Sequence, residues 1–251
     1  MIAFVGKPHR IDDRGSQVLK SLKDIGYDQY YQAEQAGWAL YLEGSTDLAI
    51  LKAFARKLQH PVTEFLDHPF VHYVGNNQPQ QARKHFYGLR EAKENLVGIA
   101  IFDRLDKNLQ LNSGLFETMW QRREIENYLC YPEVLLSYAE DVDEVGPLFT
   151  YSEQQKQREV MESCIKDLVP PVALRDYQDR WWKDTKATDD FLARLFEMYF
   201  SKLGLPNLMR KTDYHSLAPL LPEDLIEDEV REKLDAILSV AQSAQPFGNQ
   251  R

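Results

Sequence analysis

Between residues 37 and 132, patterns typical of buried strands alternate with patterns typical of helices. Near-continuous apolar runs occur in "GWALYLEG", "FVHYVGNN" and "LVGIAIFD", as expected for strands that are covered on both faces. Helix-spaced apolar positions follow the first run, and the basic segment "QARKHFYGLREAKEN" is predicted to be the next helix. The segment "MWQRREIENYL" is interpreted as a fourth strand that runs into the start of a helix. This alternation predicts an α/β fold with a mainly parallel four-stranded sheet flanked by helices.

Outside this region the pattern is mainly helical. The segment "SQVLKSLKDIGY" predicts a short amphipathic helix near the start of the chain. After Pro132 the strand signals fade, and Gly- and Pro-rich breaks separate helical segments up to residue 245. The predicted organisation is therefore a lead-in segment at 1–36, the α/β domain at 37–132, an appended helical domain at 133–245 and a loose tail at 246–251.

Composition narrows the possible classes of protein. No apolar run among the 251 residues is long enough to span a bilayer, and the start "MIAFVGKPHRIDDRG" lacks a secretory pattern, so we expect no membrane partner. Cys130 and Cys164 lie far apart, which argues against a disulfide framework or a zinc site and favours the cytoplasm. A net charge of −9 is unusual for a sequence-independent nucleic-acid binder. DNA binding would therefore need metal ions or a local basic surface.

Acidic residues follow two of the predicted buried strands. "ALYL" ends at Glu43 and "GIAIF" ends at Asp103, and the carboxyl ends of parallel strands share the edge at which open α/β sheets bind ligands. Asp47 lies in the first turn of the helix after Glu43, and Asp106 follows Asp103 closely. Clustered carboxylates stay ionised when cations bind them, and hard oxygen ligands suit Mg²⁺, Mn²⁺ or Ca²⁺. Two such ions are the usual arrangement for phosphodiester cleavage.

Each acidic residue also has a simpler structural explanation. Asp47 would favour the helix dipole without any metal, and Asp103 with Asp106 could form a capping pair in a turn. On the predicted fourth strand, Glu124 and Glu126 would share one face by the period-two rule and could pair there with the arginines at 122 and 123. Each alone is more often structural. The joint pattern of strand-Glu-Gly-x-x-Asp-helix, followed by a buried strand that ends in Asp, favours metal binding.

These motifs resemble the TOPRIM domain, the metal-binding fold of topoisomerases, primases and several nucleases. The matching stretches are "YLEGSTD" and "IAIFDRLD". A TOPRIM site has one glutamate after the first strand and an Asp-x-Asp pair after a later strand. Here Leu105 stands where the second aspartate would be, and Asp106 comes one residue late. Together, "YLEGSTDLAIL", "RREIENYL" and "MRKTDYHSLA" resemble the C-terminal region of OLD-family (overcoming lysogenisation defect) nucleases, of the class in which an ATPase domain precedes TOPRIM.

The resemblance implies an endonuclease that cleaves DNA with two bound metal ions, either Mg²⁺ or Mn²⁺. By the same resemblance, Ca²⁺ can also occupy the two metal sites. The implied metal ligands are Glu43, Asp47, Asp103, Asp106 and Glu126, with Glu124 left open as an alternative to Glu126. Glu43 would also serve as general base, and Lys211 of "RKTDYH" would stabilise charge on the scissile phosphate. The chain has no G-x-x-x-x-G-K-[ST] loop, so the resemblance implies an N-terminal ATPase partner domain outside these residues. The alternative is a non-catalytic regulatory or DNA-binding module of an ATPase.

Two basic segments are candidates for holding DNA. The helix "QARKHFYGLREAK" and the segment "RDYQDRWWKDTK" both place basic residues beside aromatic ones, a combination that can bind a backbone and stack on bases. Trp181 and Trp182 are also explained as packing residues, and that explanation is preferred. For the basic helix, both explanations stay open.

Overall fold

The computed structural model describes residues 2–5, 7–10, 25–111, 114–140 and 151–245. At the start of the chain, β1 (Ile2–Val5) and β2 (Lys7–Arg10) pair in an antiparallel hairpin, which the sequence did not predict. Most of the predicted amphipathic helix at 16–27 and the predicted tail at 246–251 lie outside the described residues. Those two predictions therefore stay predictions.

The main sheet has four strands, all parallel. Its strands are β3 (Trp38–Leu42), β4 (Val71–Tyr73), β5 (Val97–Phe102) and β6 (Leu115–Met119), and they are ordered β4-β3-β5-β6. Every residue of β3 is buried, which matches the near-continuous apolar run seen in the sequence. The predicted fold class is confirmed: a parallel α/β sheet flanked by helices, consistent with a TOPRIM-like fold.

The position predicted for the fourth strand is wrong. The strand β6 ends at Met119, where the predicted strand was to begin, and a 3-10 helix occupies Ile125–Leu129. Glu124 and Glu126 therefore do not share a strand face. The Asn127 side chain explains the change, because its Oδ1 accepts the Glu124 N–H at 2.8 Å and its amide nitrogen donates to the carbonyls of Trp182 and Thr185, both at 2.9 Å. These bonds hold the segment as a turn of helix.

Helices make up most of the remaining structure. The α-helices are α1 (Tyr27–Ala36), α2 (Ser45–Lys57), α3 (Thr63–Asp67), α4 (Pro79–Arg90), α5 (Pro132–Glu140), α6 (Tyr151–Leu168), α7 (Arg180–Asp184), α8 (Ala193–Leu203) and α9 (Asp228–Ser243). A π-helix at Ala187–Leu192 leads into α8, and further 3-10 helices lie at Ala173–Arg175, Lys211–Leu220 and Glu223–Leu225. Within the described ranges, none of these helices is both long and apolar enough to cross a membrane.

The chain divides into two compact units. The sheet unit contains residues 1–44, 61–119 and 232–251, and the helical unit contains residues 45–60 and 120–231. The four-stranded sheet with α1, α3 and α4 belongs to the first unit, whereas α2 and the helices α5 to α8 belong to the second. Because these units are groups of mutually contacting residues, the domain boundaries given above remain a prediction.

Close packing fixes α4 against the sheet. A Cβ at Gly98 of β5 would lie 2.9 Å from the Phe86 ring, so glycine is needed where the helix approaches the strand. Next to Phe86, His85 donates from Nε2 to Gln29 Oε1 at 2.7 Å, because that oxygen can only accept. Its Nδ1 then accepts from the Tyr41 hydroxyl at 2.9 Å, and burial holds the pKa of His85 down at about 3. The interior of the sheet unit is therefore specified by polar contacts as well as apolar ones.

Candidate metal centre

Glu43 and Asp103 directly follow neighbouring parallel strands. Tyr41 of β3 is paired with Ala100 of β5, so the two strands end within a residue of each other along the sheet. Both acids are half-buried. The structure thus places the two carboxylate residues at the same edge of the sheet, as the sequence predicted from the common direction of parallel strands.

The turn after β4 connects the ends of these two strands. The backbone N–H of Gly75 donates to the Glu43 carbonyl at 3.1 Å, and Asn77 Nδ2 donates to the Asp103 carbonyl at 3.0 Å. Gly75 has a φ of 64°, the left-handed conformation that favours glycine. The turn therefore positions Asn77 against Asp103, the residue that directly follows β5. We call Glu43, Asn77 and Asp103 the sheet-edge group.

Two amide oxygens in this turn are buried without a hydrogen bond. Asn76 Oδ1 and Asn77 Oδ1 have no hydrogen-bond partner among the described residues. A buried oxygen without a partner is costly, and native structures rarely keep one without a reason. Carboxylate and amide oxygens are the ligands that Mg²⁺, Mn²⁺ and Ca²⁺ prefer. The residues at this edge therefore fit the divalent cation that the sequence pattern implies.

Asp106 is exposed, in contrast to Asp103. Leu105 is packed against the apolar core of the sheet unit, and its backbone N–H lies 3.5 Å from Met119 Sδ. Leucine at the position of the second motif aspartate thus serves packing, and the chain presents Asp106 one residue later at the surface. Its role as a ligand stays a prediction.

A second acidic group lies in the helical unit, around Glu126 of the 3-10 helix. Glu126 is buried and only 4% exposed to solvent. The pKa of Glu126 is raised from 4.5 to about 7, mainly by burial and also by the negative charges of Asp47 and Glu124, while the Lys211 ammonium acts in the opposite direction. These four residues are therefore close enough to interact electrostatically. We call Asp47, Glu126 and Lys211 the Glu126 group.

The helical unit builds this group from three segments. Helix α2, which carries Asp47 in its first turn, packs along the 3-10 helix Lys211–Leu220, and Lys57 Nζ donates to the Pro219 carbonyl at 2.8 Å. Lys211 is the exposed first residue of that 3-10 helix. Since α2 also contacts the 3-10 helix of Glu126, the packing of helices explains how residues distant in sequence meet.

Glu124 has a structural role of its own. Its Oε2 accepts the backbone N–H of Thr188 at 3.0 Å, and its side chain caps the 3-10 helix by accepting the backbone N–H of Asn127. A carboxylate that already accepts backbone donors is less available to a cation. Of the two glutamates left open by the sequence, Glu126 therefore stays the predicted ligand.

In the usual pattern of a metal site, three or more ligand side chains converge, and the described part of the chain can be compared with this pattern. No group of three or more His, Cys, Asp or Glu side chains there has that arrangement. The sheet-edge group instead combines two carboxylate residues with an amide. The metal-ligand roles of Glu43, Asp47, Asp103, Asp106 and Glu126 therefore stay predictions.

A comparison with solved structures found a match to part of an OLD protein. The C-terminal region of the Xanthomonas campestris pv. campestris OLD protein is matched over 82% of this chain and 96% of that chain, at 17% sequence identity and a TM-score of 0.33. Neither a known protein family nor a curated protein matches the sequence. At this identity the likeness does not place the chain in a family.

The basic and aromatic candidates for DNA contact are mostly engaged within the protein. Arg83 forms a bidentate ion pair with the buried Glu117 carboxylate, with nitrogen–oxygen distances of 2.5 and 2.6 Å. Lys93 Nζ donates to the Gln245 carbonyl at 2.9 Å. Trp182 is buried, and its Nε1 donates to the Ala173 carbonyl at 2.8 Å. Lys84 remains an exposed cation on α4. The preferred explanation of Trp182 as a packing residue agrees with this geometry.

Replacing Glu126 with glutamine should make stability less dependent on pH. Because the folded-state pKa is raised from 4.5 to about 7, Glu126 contributes stability that is fully present below pH 4.5 and lost as the pH rises through about 7. Without added metal, we expect the wild type to lose on the order of 3 kcal/mol of unfolding free energy between pH 4.5 and about 7 relative to Glu126→Gln. Urea unfolding in the presence of a chelator, repeated across this pH range, measures the difference between the two proteins.

The matched control for this prediction is Glu133→Gln in α5, a glutamate whose side chain accepts from the Tyr177 hydroxyl near the surface. That variant shows how a glutamate-to-glutamine change outside the Glu126 group affects unfolding under the same conditions. If Glu126→Gln and wild type run parallel from pH 4.5 to above pH 7, the buried ionisable state of Glu126 is refuted.

Proposed function

We propose that this chain is the nuclease part of a metal-dependent DNA endonuclease. The observation that carries the proposal is the sheet edge itself. There the acids that directly follow β3 and β5 lie beside a turn with buried amide oxygens that have no hydrogen-bond partner among the described residues. The carboxyl edge of a parallel sheet is where α/β proteins bind ligands, and this oxygen set suits a hard divalent cation.

The cofactor in this proposal is Mg²⁺ or Mn²⁺, with two ions per chain and Ca²⁺ able to occupy the same sites. In the sheet unit, Glu43 and Asp103 would hold metal, with Asp106 as a further ligand. In the helical unit, Asp47 and Glu126 would do so, since a bound cation would offset the repulsion between the two carboxylates that helps to raise the pKa of Glu126. When bound, such ions supply charge stabilisation for the attacking and leaving oxygens of a phosphodiester.

The protein's own side chains supply the remaining chemistry. Glu43 is proposed as the general base that accepts a proton from the attacking water on a carboxylate oxygen. The water oxygen then bonds to phosphorus, and the phosphorus–oxygen bond to the leaving nucleotide breaks. Lys211, exposed at the start of its 3-10 helix, is proposed to offer positive charge to the phosphate as negative charge develops there.

The partners in this proposal are DNA and an ATPase domain that precedes these residues in the same protein. Both rest on the resemblance of the motifs, whereas the proposed cytoplasmic location rests on the two distant cysteines and the lack of a secretory pattern. Because the net charge is −9, the cations are expected to contribute much of the attraction for a polyanion.

Cleavage of supercoiled plasmid DNA tests the proposal directly. We expect nicked and linear products with Mg²⁺ or Mn²⁺ and intact plasmid with a chelator. Calorimetric titration with Mn²⁺ in parallel should give two ions per chain, since the proposal is a two-metal one. Intact plasmid together with no Mn²⁺ binding would refute the proposal.

A non-catalytic regulatory or DNA-binding module is the second candidate. The observation that favours it is Leu105, a packing residue at the motif position of a ligand, together with the exposed Asp106. The two candidates differ in the same experiment. Mn²⁺ binding with intact plasmid would select the module, whereas cleaved plasmid would select the endonuclease.

A further inference from the structure

We propose that Asn77 is a metal ligand, with its Oδ1 coordinating the same divalent cation as Glu43 and Asp103. The inference rests on the proposed function, because it adds a residue to the metal site described there. It goes beyond the motifs "YLEGSTD" and "IAIFDRLD", which contain no amide residue.

The orientation of the Asn77 amide is fixed by the fold. Its Nδ2 donates to the Asp103 carbonyl at 3.0 Å. If the amide were flipped, an oxygen would face that carbonyl oxygen and the bond would be lost. Oδ1 is therefore the atom on the other side of the amide, and it is this atom that is buried without a hydrogen-bond partner in the described ranges.

The turn that carries Asn77 is held from both sides. The Gly75 N–H donates to the Glu43 carbonyl at 3.1 Å, and the Val74 N–H donates to the Leu42 carbonyl at 3.0 Å. Pro79 begins α4 two residues after Asn77 and restricts the backbone there. A side chain on such a turn is preorganised, so its oxygen would be ordered before a cation binds.

The chemistry of the three side chains selects the class of cation. Two carboxylates and one amide are all oxygen donors, which suits Mg²⁺, Mn²⁺ and Ca²⁺ and disfavours metals that prefer thiolate or imidazole. An amide adds a ligand atom without adding negative charge, so it avoids the repulsion that a third carboxylate would bring. A bound cation would also give the buried Oδ1 the partner that it otherwise lacks.

The test is Mn²⁺ affinity, measured by calorimetry on the wild type and two variants. Asn77→Ala removes both the amide donor and the oxygen, and we expect the affinity to fall about tenfold. Asn77→Asp loses the donor to the Asp103 carbonyl but keeps an oxygen, so it should bind Mn²⁺ at least as tightly as the wild type. If Asn77 only positioned Asp103 through its donor, both variants would lose affinity alike, and that result would overturn the proposal.

Two matched controls separate this role from general effects. Asn95→Ala removes an exposed asparagine of the same unit whose Nδ2 donates to Gln245, and it should leave Mn²⁺ affinity unchanged. Gln78→Glu adds one negative charge at the residue next to Asn77 and tests whether charge alone explains the Asn77→Asp result. A Gln78→Glu affinity equal to that of Asn77→Asp, with Asn77→Ala like the wild type, also overturns the proposal.

The proposed function and the Asn77 role fail in different ways. If the wild type binds no Mn²⁺, the metal-dependent function itself fails. If the wild type binds Mn²⁺, Glu43→Gln weakens the binding and Asn77→Ala does not, then only the Asn77 role is lost. Circular dichroism of each variant in a chelator confirms that the fold is retained.

Discussion

Replacing Glu43 with glutamine is expected to lower the rate of plasmid cleavage by at least about 100-fold, the usual contribution of a positioned general base. Glutamine keeps the size of the side chain but cannot accept the proton of the attacking water. It also removes one charge from the sheet-edge group, so Mn²⁺ affinity should fall in the same variant. Initial cleavage rates at saturating Mn²⁺ measure the catalytic part of this loss.

An exposed glutamate of the same unit provides the control. Glu64 lies in the first turn of α3, and Glu64→Gln should cleave at the wild-type rate. The melting temperature of Glu43→Gln in a chelator should stay close to that of the wild type, because the side chain is only half-buried. Cleavage by Glu43→Gln at the wild-type rate would exclude Glu43 as the base.

Replacing Arg122 with alanine is expected to cost about 2 to 3 kcal/mol of unfolding free energy, because hydrogen bonds to a charged group each contribute about 1.5 to 3 kcal/mol and the partly exposed Glu227 carboxylate recovers some hydration. Arg122 is 3% exposed and forms an ion pair with Glu227. It also donates to the carbonyls of Asn127 at 3.4 Å and Trp182 at 3.3 Å. Its removal would break the ion pair and both of these hydrogen bonds, although the Glu227 carboxylate would still accept from the Tyr131 hydroxyl. Urea denaturation at neutral pH measures the loss.

The neighbouring Arg123 provides the control for the Arg122 substitution. Its side chain is exposed, and its backbone N–H, which donates to the Lys183 carbonyl at 2.9 Å, survives substitution. Arg123→Ala should therefore change the unfolding free energy by no more than about 0.5 kcal/mol. Equal losses in the two variants would mean that the buried guanidinium network does not stabilise the helical unit.

The ends of β3 and β5 could be predicted because a strand buried on both faces is encoded by a near-continuous run of apolar residues. β3 and β5 are central strands with uninterrupted apolar runs, so the acids that follow them stand out. The common direction of parallel strands then brings Glu43 and Asp103 to one edge without further information. The edge strand β6 is less distinct, since Phe116 is 52% exposed, and its position was mispredicted.

The remaining parts of the candidate site depend on contacts that no local pattern records. Asn127 holds Glu124 in a capped 3-10 helix through partners some 55 residues away. Arg122 was considered as a surface partner of the nearby glutamates, but its actual partner is Glu227. Asn77 follows a glycine and another asparagine, which indicates only a turn. Its unpartnered oxygen becomes visible only when the surrounding backbone is in place.

The discontinuity of the two units has a practical consequence for fragments of this protein. Helix α2 is encoded within the sheet region, yet it packs along the 3-10 helix that begins at Lys211. A recombinant piece that stopped at residue 132 would keep α2, whose Ile50, Leu51 and Phe54 are buried in the full chain, and would discard that packing partner. Such a truncation should aggregate, whereas a circularly permuted chain that retains both segments should stay folded.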